Sequence, residues 1–557
     1  MDNSTSDQER IKRIANPKGR QVRPEAFAEI SVLISDADRS AEFLIERLHL
    51  IQDKFGRLSE EHLAALAQLM KLPQSHVFEV ASFYHHFDIV MNDDLEGDAS
   101  ESSHTVRVCD SITCQLAGAE ELLEKMIFNY GDAIRIVRVP CVGNCANAPV
   151  AVLGKRQFTD NVVKNIGVAA EKNLVAPDLP TYENLASYEK NGGYQFLRGC
   201  IVGEKSREKI LAEIDKAGLR GMGGGGFPVA RKWQFLETAP KPRVLVMNAD
   251  EGEPGTFKDR YLFETTPHRI LEGMLLAAWF VEAEDIYIYL RDEYPHIHAL
   301  LTEEIDKISD AGLSKGVTIH LRRGAGSYVC GEESALLESI EGKRGLPRNR
   351  PPFPAQAGLF GRPTLINNVE TLYWVREILV NSAEWYVEEG RPRYYSVSGR
   401  VAEPGVICAP SSTTVRQLIN DHCGGMMNSH TFKAYLPGGA SGGILPAELD
   451  NLPLDFGTLG EHGCFVGSAA VVIFSDQDKI REIVLNLLRF FEEESCGQCT
   501  PCRLGCTKLI ELVESKTQSD DIIQDLSQVM RDASICGLGQ AAPNPVLSAM
   551  KFFADEL

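Results

Sequence analysis

The run Val244-Leu-Val-Met-Asn248-Ala-Asp250-Glu251-Gly-Glu253-Pro-Gly255-Thr-Phe-Lys258-Asp-Arg260 leads an apolar strand into a loop dense with polar side chains. The strand covers 244–248. Beyond the loop the pattern predicts a helix over 267–281, a strand over 286–290, a helix over 296–308 and a strand over 317–321. Strands alternating with helices form a mostly parallel sheet with helices packed on it. Open sheets of this kind place their ligands beyond the carboxyl ends of the strands. The loop after Asn248 stands at such an end.

Three further clusters accompany it. Gly221-Met-Gly223-Gly-Gly-Gly226-Phe227-Pro has the form G-x-G-x-x-G, but a helix over 208–217 precedes it where a dinucleotide fold needs a strand. Its bare backbone can still lie against a flat ring or a phosphate, and Lys232 follows with a positive charge. Gly324-Ala-Gly-Ser-Tyr328-Val-Cys-Gly331-Glu332-Glu333 is again glycine-rich and opens a helix. Helix N-termini favour anions. Two carboxylates there oppose a phosphate, so Glu332 and Glu333 are expected to meet a ribose or an amide. Asn367-Asn368-Val-Glu-Thr371 heads another helix.

The cysteines fall into two sets. Cys496-Gly-Gln-Cys499-Thr-Pro-Cys502 with the remote Cys536 has the spacing of a [4Fe–4S] site, and Cys109-x4-Cys114 with Cys141-x3-Cys145 that of a [2Fe–2S] site. Zinc would use paired CxxC or Cys/His knuckles, which neither set has. Cys506 competes with Cys536 as fourth ligand. Cys536 is preferred because its glycine-rich loop lets backbone approach a cluster. Cys200, Cys330, Cys408, Cys423 and Cys464 are read as inert thiols.

At 557 residues the chain holds several domains, and its net charge of −21 argues against nucleic acid as a partner. No stretch reaches the roughly 18 apolar residues of a membrane span. The polar N-terminus lacks a secretory pattern, so a cytoplasmic protein is expected. The fold class is multidomain α/β and α+β. A tail is expected over 1–22. Over 23–165 come helices and a thioredoxin-like module, with strands at 106–109, 134–139 and 150–153 around a helix at 117–130. A linker follows over 166–195, and a Rossmann-like α/β domain over 196–390. A small β-grasp (ubiquitin-like, SLBB-like) domain covers 391–475, with one helical stretch at 414–422. A helical [4Fe–4S] domain closes the chain over 476–557.

Together, the four loop clusters and Glu494-Ser-Cys-Gly-Gln-Cys-Thr-Pro-Cys-Arg resemble the NADH- and FMN-binding 51-kDa-type subunit of respiratory complex I. The N-terminal region resembles its 24-kDa-type [2Fe–2S] subunit, here joined upstream in one chain. The fused arrangement with Arg291-Asp-Glu-Tyr-Pro most resembles the β (diaphorase) subunits of NAD-dependent molybdenum or tungsten formate dehydrogenases, with NAD-reducing hydrogenase diaphorases as near relatives. The resemblance implies FMN phosphate and ribityl contacts at Gly221, Gly223, Lys232, Asn367, Asn368 and Thr371. It implies flavin-ring contacts at Asn248, Asp250, Glu251, Gly331 and Glu332. Nicotinamide nucleotide contacts are implied at Phe227, Phe235, Glu253, Tyr328, Glu333 and Phe353, with Glu251 and Glu253 nearest the chemistry. Cys109, Cys114, Cys141 and Cys145 would hold [2Fe–2S], and Cys496, Cys499, Cys502 and Cys536 [4Fe–4S]. Met222, Gly225, Val229 and Ala230 depart from the family's glycine loop, which reads Gly-Arg-Gly-Gly-Ala-Gly-Phe-Pro-Thr-Gly. The implied activity is electron exchange between NAD(H) and the clusters through FMN. The implied partner is a large molybdenum- or tungsten-containing α subunit carrying further clusters. A hydrogenase diaphorase, the NADH-input module of a complex I-like dehydrogenase and a purely electron-transferring subunit are the alternatives.

Overall fold

The computed structural model describes residues 19–91, 104–131, 133–515 and 520–557. Most of the expected tail, 1–18, and the acidic, serine-rich stretch 92–103, whose composition predicts a loop, lie outside the described residues. The chain divides into two compact units, one reaching Ala99 and including Ser339–Arg344, the other comprising the rest.

Among its described residues the first unit packs helices α1 (Pro24–Leu33), α2 (Leu44–Phe55), α3 (Glu60–Met70) and α4 (Gln74–Phe83). Leu44, Leu48 and Ile51 recur at helical spacing and are fully buried. Ser59 caps α3, its hydroxyl accepting the His62 N–H at 3.2 Å.

The second unit opens with the thioredoxin-like module. Strands β1 (Thr105–Cys109), β2 (Arg135–Val139), β3 (Ala151–Leu153) and β4 (Arg156–Phe158) make a sheet in the order β2-β1-β3-β4. β1 pairs parallel with β2 and antiparallel with β3. Helix α5 (Ala119–Tyr130) begins two residues later than the sequence pattern implies, because Gly118 turns left-handed at φ 89°. β4 and helix α6 (Val162–Glu171) are additions to the sequence reading, so the stretch over 166–195 is not a plain linker. It holds the end of α6, all of α7 (Leu185–Lys190) and the start of α8 (Gln195–Ile201). The signals there are weak: α6 starts from a left-handed Asn161 with no side-chain cap and carries Gly167 inside it.

The α/β domain follows with α9 (Arg207–Ala217), α10 (Val229–Glu237), β5 (Arg243–Ala249), α11 (Lys258–Thr265) and α12 (Pro267–Val281). Next come β6 (Ala283–Leu290), α13 (Pro295–Asp310), β7 (Thr318–Arg323), α14 (Glu333–Ile340), β8 (Thr364–Asn368), α15 (Val369–Asn381) and α16 (Ala383–Glu388). Its sheet is wholly parallel, in the order β8-β5-β6-β7. Val244, Leu245, Val246 and Met247 are fully buried, as strands covered on both faces must be.

A mixed five-stranded sheet builds the β-grasp domain from β9 (Arg393–Gly399), β10 (Gly405–Ala409), β11 (Phe432–Leu436), β12 (Leu445–Pro446) and β13 (Ala470–Ser475). The order is β10-β9-β13-β11-β12. The helical stretch after β10 starts from a Thr414–Gln417 capping box and then widens into a π turn over Leu418–His422. The C-terminal helices are α17 (Ile480–Glu493), α18 (Thr500–Glu514), α19 (Asp520–Ala533), α20 (Gly537–Ala541) and α21 (Asn544–Phe552). Among the described residues no helix is long and apolar enough to cross a membrane.

Helices α12 and α15 approach so closely that a Cβ at Gly273 would lie 1.9 Å from the Leu372 carbonyl oxygen. Gly273→Ala is therefore expected to destabilise the second unit by about 1–3 kcal/mol. A lowered urea midpoint would show it. Gly460→Ala is the control, since its added methyl would meet nothing within 4 Å.

Candidate functional site

The chain passes from β5 to β6 to β7 in one direction and then returns to place β8 on the other side of β5. The reversal between β5 and β8 is a topological switch point, where open α/β sheets leave a crevice. The register sets Asn248 directly opposite Asn368 at the carboxyl ends of the two strands. Asn248 Oδ1 accepts the Asp250 N–H at 3.0 Å and its Nδ2 donates to the Gly331 carbonyl at 2.9 Å. The Asn368 carboxamide oxygen caps α15 by accepting the Thr371 N–H at 3.1 Å. Thr371 Oγ1 accepts the Met222 N–H at 2.9 Å, which stitches the glycine loop to the same strand end. Asn367 Oδ1 accepts the Trp233 indole N–H at 3.1 Å. All four sequence clusters thus converge on one crevice.

The crevice fits a flavin nucleotide. A Cβ at Gly223 would stand 3.2 Å from Asn368 Cβ, and one at Gly331 3.3 Å from the Asp250 carbonyl, so both glycines let their loops pack tightly against the two strand ends that bound the crevice. Gly224 and Gly226 hold φ of 114° and 60°. Asp250 Oδ2 is buried with no hydrogen-bond partner among the described residues, an acceptor without a donor. Burial holds its carboxyl well above the usual range despite Arg291 nearby. Phe227, Phe235 and Phe353 are half exposed, at 47, 59 and 51%. The rings of Phe227 and Phe235 lie 6.3 Å apart beside the glycine loop. Such apolar faces left in solvent suit a stacked ring.

The carboxylates divide differently from the sequence expectation. Glu251, expected near the chemistry, spends both oxygens on the fold. Oε1 accepts the Asp259 N–H at 2.8 Å, and Oε2 accepts the Arg260 N–H at 3.1 Å and the Tyr294 hydroxyl at 2.9 Å. It anchors the N-terminus of α11, where unpaired N–H groups attract a carboxylate. Glu332 likewise accepts the Ser334 and Ala335 N–H groups, both at 2.9 Å, and pairs with Arg350. Glu253 takes the Tyr328 hydroxyl on one oxygen and, on the other, the Ser441 N–H at 2.8 Å and hydroxyl at 2.6 Å. Burial raises its pKa against those bonds. Glu333 pairs with Lys232 at 3.1 Å and Arg350 at 3.3 Å.

Cys109, Cys114, Cys141 and Cys145 are all buried, and the sulfurs of Cys141 and Cys145 lie 3.4 Å apart. The Gly143 N–H points at Cys141 Sγ from 3.5 Å. A group of buried thiols with an amide donor on one sulfur suits a [2Fe–2S] centre. Cys496, Cys499, Cys502 and Cys536 line one pocket together with Val329, Pro347, Ile535 and Leu538. Cys506, one turn beyond Cys502 on α18, is fully buried and does not line it. The donor set fits a [4Fe–4S] centre with Cys536 as fourth ligand.

Residues 214–377 match the Nuo51 FMN-binding domain, 482–557 the NADH-ubiquinone oxidoreductase-F iron–sulfur binding region, and 30–172 the thioredoxin-like [2Fe-2S] ferredoxin. The second F-type subunit of NADH-quinone oxidoreductase in Rhizobium meliloti (strain 1021) is 39% identical over 399 residues, 68% of this chain and 94% of that protein. This chain belongs to the F-type family of NADH-quinone oxidoreductase subunits. The F-type relative in Aquifex aeolicus (strain VF5) is 39% identical over 396 residues, covering 68% of this chain and 91% of that protein. A solved chain of an NAD+-reducing [NiFe]-hydrogenase in the H2-reduced state superimposes with a TM-score of 0.80 at 31% identity, covering 93% of this chain and 92% of the other. The protein is therefore an oxidoreductase flavoprotein with FMN-binding, [4Fe–4S] and [2Fe–2S] domains.

Sequence reading gave no role to Arg291, Tyr294, Ser441 or Glu494, all of which brace the site. Arg291 and Tyr294 lie in a quoted motif, but their partners are remote in sequence. Glu494 Oε2 accepts the Tyr328 N–H at 2.8 Å.

Burial, with the charge of Asp259 adding to it, lifts the Glu251 carboxyl to about 7. An unfolded glutamate titrates near about 4.3. Between these values the folded chain binds the extra proton, so this group's stabilisation is complete below about 4.3 and is lost as pH rises through about 7. Over that window wild type is expected to lose stability more steeply than Glu251→Gln, by up to about 1.4 kcal/mol per pH unit. A pH series of urea unfolding on both proteins would check it. Equal slopes would mean that Glu251 stays ionised in the fold.

Proposed function

We propose that this chain is the diaphorase subunit of an NAD-dependent formate dehydrogenase, exchanging electrons between NAD(H) and the clusters of a molybdenum- or tungsten-containing partner. The observation that carries the diaphorase part is the in-register Asn248–Asn368 pair, with all four loop clusters gathered around it. The formate part is supported by the resemblance of the fused chain and of Arg291-Asp-Glu-Tyr-Pro. A second reading, the diaphorase of an NAD-reducing hydrogenase, is favoured by the fold likeness that extends across 93% of the chain.

In this reading Gly221, Gly223, Lys232, Asn367, Asn368 and Thr371 hold the FMN phosphate and ribityl chain. Asn248, Asp250 and Gly331 face the ring. FMN, when bound, accepts two electrons from NADH and releases them singly to iron–sulfur clusters. The protein supplies alignment and exclusion of water, and hydride transfer needs no general base. Phe227, Phe235 and Phe353 cover the nucleotide, while Glu253, fixed by Tyr328 and Ser441, sets the charge of the nicotinamide pocket. Glu251 and Glu332 position backbone instead of touching the substrate. Cys496, Cys499, Cys502 and Cys536 hold the [4Fe–4S] centre, and the N-terminal cysteines the [2Fe–2S] centre.

The isolated FMN-loaded chain should oxidise NADH with ferricyanide and show no formate activity of its own. Asn248→Ala should lower FMN retention by about tenfold, as loss of a hydrogen bond in a buried site does. Full flavin content in that variant would overturn the site map. Reconstitution with candidate partner subunits, assayed for NAD+ reduction by formate and by H2, separates the two readings. H2-driven reduction alone would replace the formate assignment. Electron paramagnetic resonance should show the [4Fe–4S] signal kept in Cys506→Ser and lost in Cys536→Ser.

A further inference from the structure

Arg291 and Cys141 stand 150 residues apart in sequence and touch in space. The guanidinium donates through Nη2 to the Cys141 carbonyl at 2.5 Å and to Glu293 Oε1 at 2.6 Å. Through Nη1 it donates to the Glu251 carbonyl. It lies over the Tyr294 ring, 5.0 Å from the centroid, and only 4% of its side chain is exposed. One fork therefore ties the backbone of the Cys141–Cys145 loop to the backbone of the loop that bounds the flavin crevice. The two carbonyls take donors on Nη1 and Nη2 without cancelling its charge, its buried Nε has no hydrogen-bond partner among the described residues, and there Glu293 is its one carboxylate partner by hydrogen bond. Arg260 also reaches this loop, donating to the Gly143 carbonyl at 3.2 Å, but it is paired with Glu264 at 2.6 Å.

We propose that Arg291 is a positioning residue that sets the reduction potential of the [2Fe–2S] centre, by fixing a buried positive charge against the Cys141 ligand on its flavin-facing side. This rests on reading Cys109, Cys114, Cys141 and Cys145 as the ligands of that centre. Reduction by one electron makes the centre one unit more negative, and a nearby positive charge in a water-poor site favours that form. Net charge and hydrogen bonding around the sulfurs are the levers by which a protein moves such a potential. A guanidinium does not deprotonate in a protein, so the positive charge of Arg291 is itself present at every pH. The same fork fixes the spacing between cluster loop and flavin loop, so potential and distance are set by one side chain.

The test is an anaerobic redox titration of the full, cluster-loaded chain followed by electron paramagnetic resonance. Arg291→Gln should lower the midpoint of the [2Fe–2S] signal by about tenfold in the one-electron equilibrium constant, about 59 mV. Arg291→Lys keeps the charge and loses the fork, and should fall between that variant and wild type. Glu293→Gln leaves Arg291 in place and removes its counter-charge, so its midpoint should rise. That variant keeps the proposal testable if Arg291→Gln fails to fold. The [4Fe–4S] midpoint, read in the same titration, should stay put in all three. Midpoints of the [2Fe–2S] signal that do not move, or that move together with the [4Fe–4S] midpoint, overturn the proposal while leaving the ligand assignment standing. Absence of any [2Fe–2S] signal in the wild-type chain, with the [4Fe–4S] signal present, overturns the ligand assignment itself.

Discussion

The parallel pairing of β8 with β5 is the constraint on which the site depends. Its register brings two asparagines, more than a hundred positions apart in the chain, to face each other at one edge of the sheet. Every loop of the crevice is then referred to that edge: the glycine loop through Thr371, the loop after β7 through Asn248, and α10 through the Trp233 indole. A slip by one residue would turn each strand's side chains to the opposite face and scatter these contacts. The buried valines and leucines of β5 and β8 make that slip costly, so an apolar core holds a polar site in place.

Beneath the crevice lies a charged cluster that stabilises by geometry more than by attraction. Lys258 is 1% exposed, with Asp259 at 2.8 Å and Glu370 at 3.0 Å. Burial works against its charge, but the two carboxylates outweigh it and keep the ammonium above its ordinary pKa. Such a group is strongly destabilising if one partner is removed and modest if left whole. Glu370 also accepts the Trp374 indole N–H at 3.0 Å and the Tyr394 N–H at 2.8 Å. The cluster thereby joins α11, α15 and the first strand of the β-grasp sheet, and it fixes where α11 starts. Glu251 closes that start from the other side.

Local signals were readable in the sequence because their causes are local. The cysteine spacings and the strand-to-loop step at Asn248 each act within a few residues. The alternation of strands and helices likewise announced the parallel sheet. What the sequence hid are contacts between distant segments. Nothing near Glu253 in the chain points to Ser441, and nothing near Arg291 points to Cys141. Glu251 looked like a chemical group because acidic loops at strand ends often are. Only the fold shows its oxygens turned onto the N–H groups of a following helix. The short strand at Arg156–Phe158 and the helix after it were missed for a different reason, since three residues carry too little periodicity to stand out.

The contacts that hold the thioredoxin-like module to its neighbours are mostly polar. Arg291 and Arg260 grip two of its carbonyls, Thr113 meets Ser398 at 3.1 Å, and Asn486 reaches the Asp110 carbonyl at 3.0 Å. Phe257 adds an apolar contact against Cys141 and Cys145. Between separate proteins so polar a face would have to offset about 4–15 kcal/mol of lost translational and rotational freedom. Here the two partners are one polypeptide, and a short tether keeps them at an effective concentration on the order of millimolar. The joint can therefore be weak bond by bond and still be closed nearly all the time. Each flavin domain also leaves the ribosome with one [2Fe–2S] module already attached, so their ratio is fixed by translation and needs no matching of expression levels.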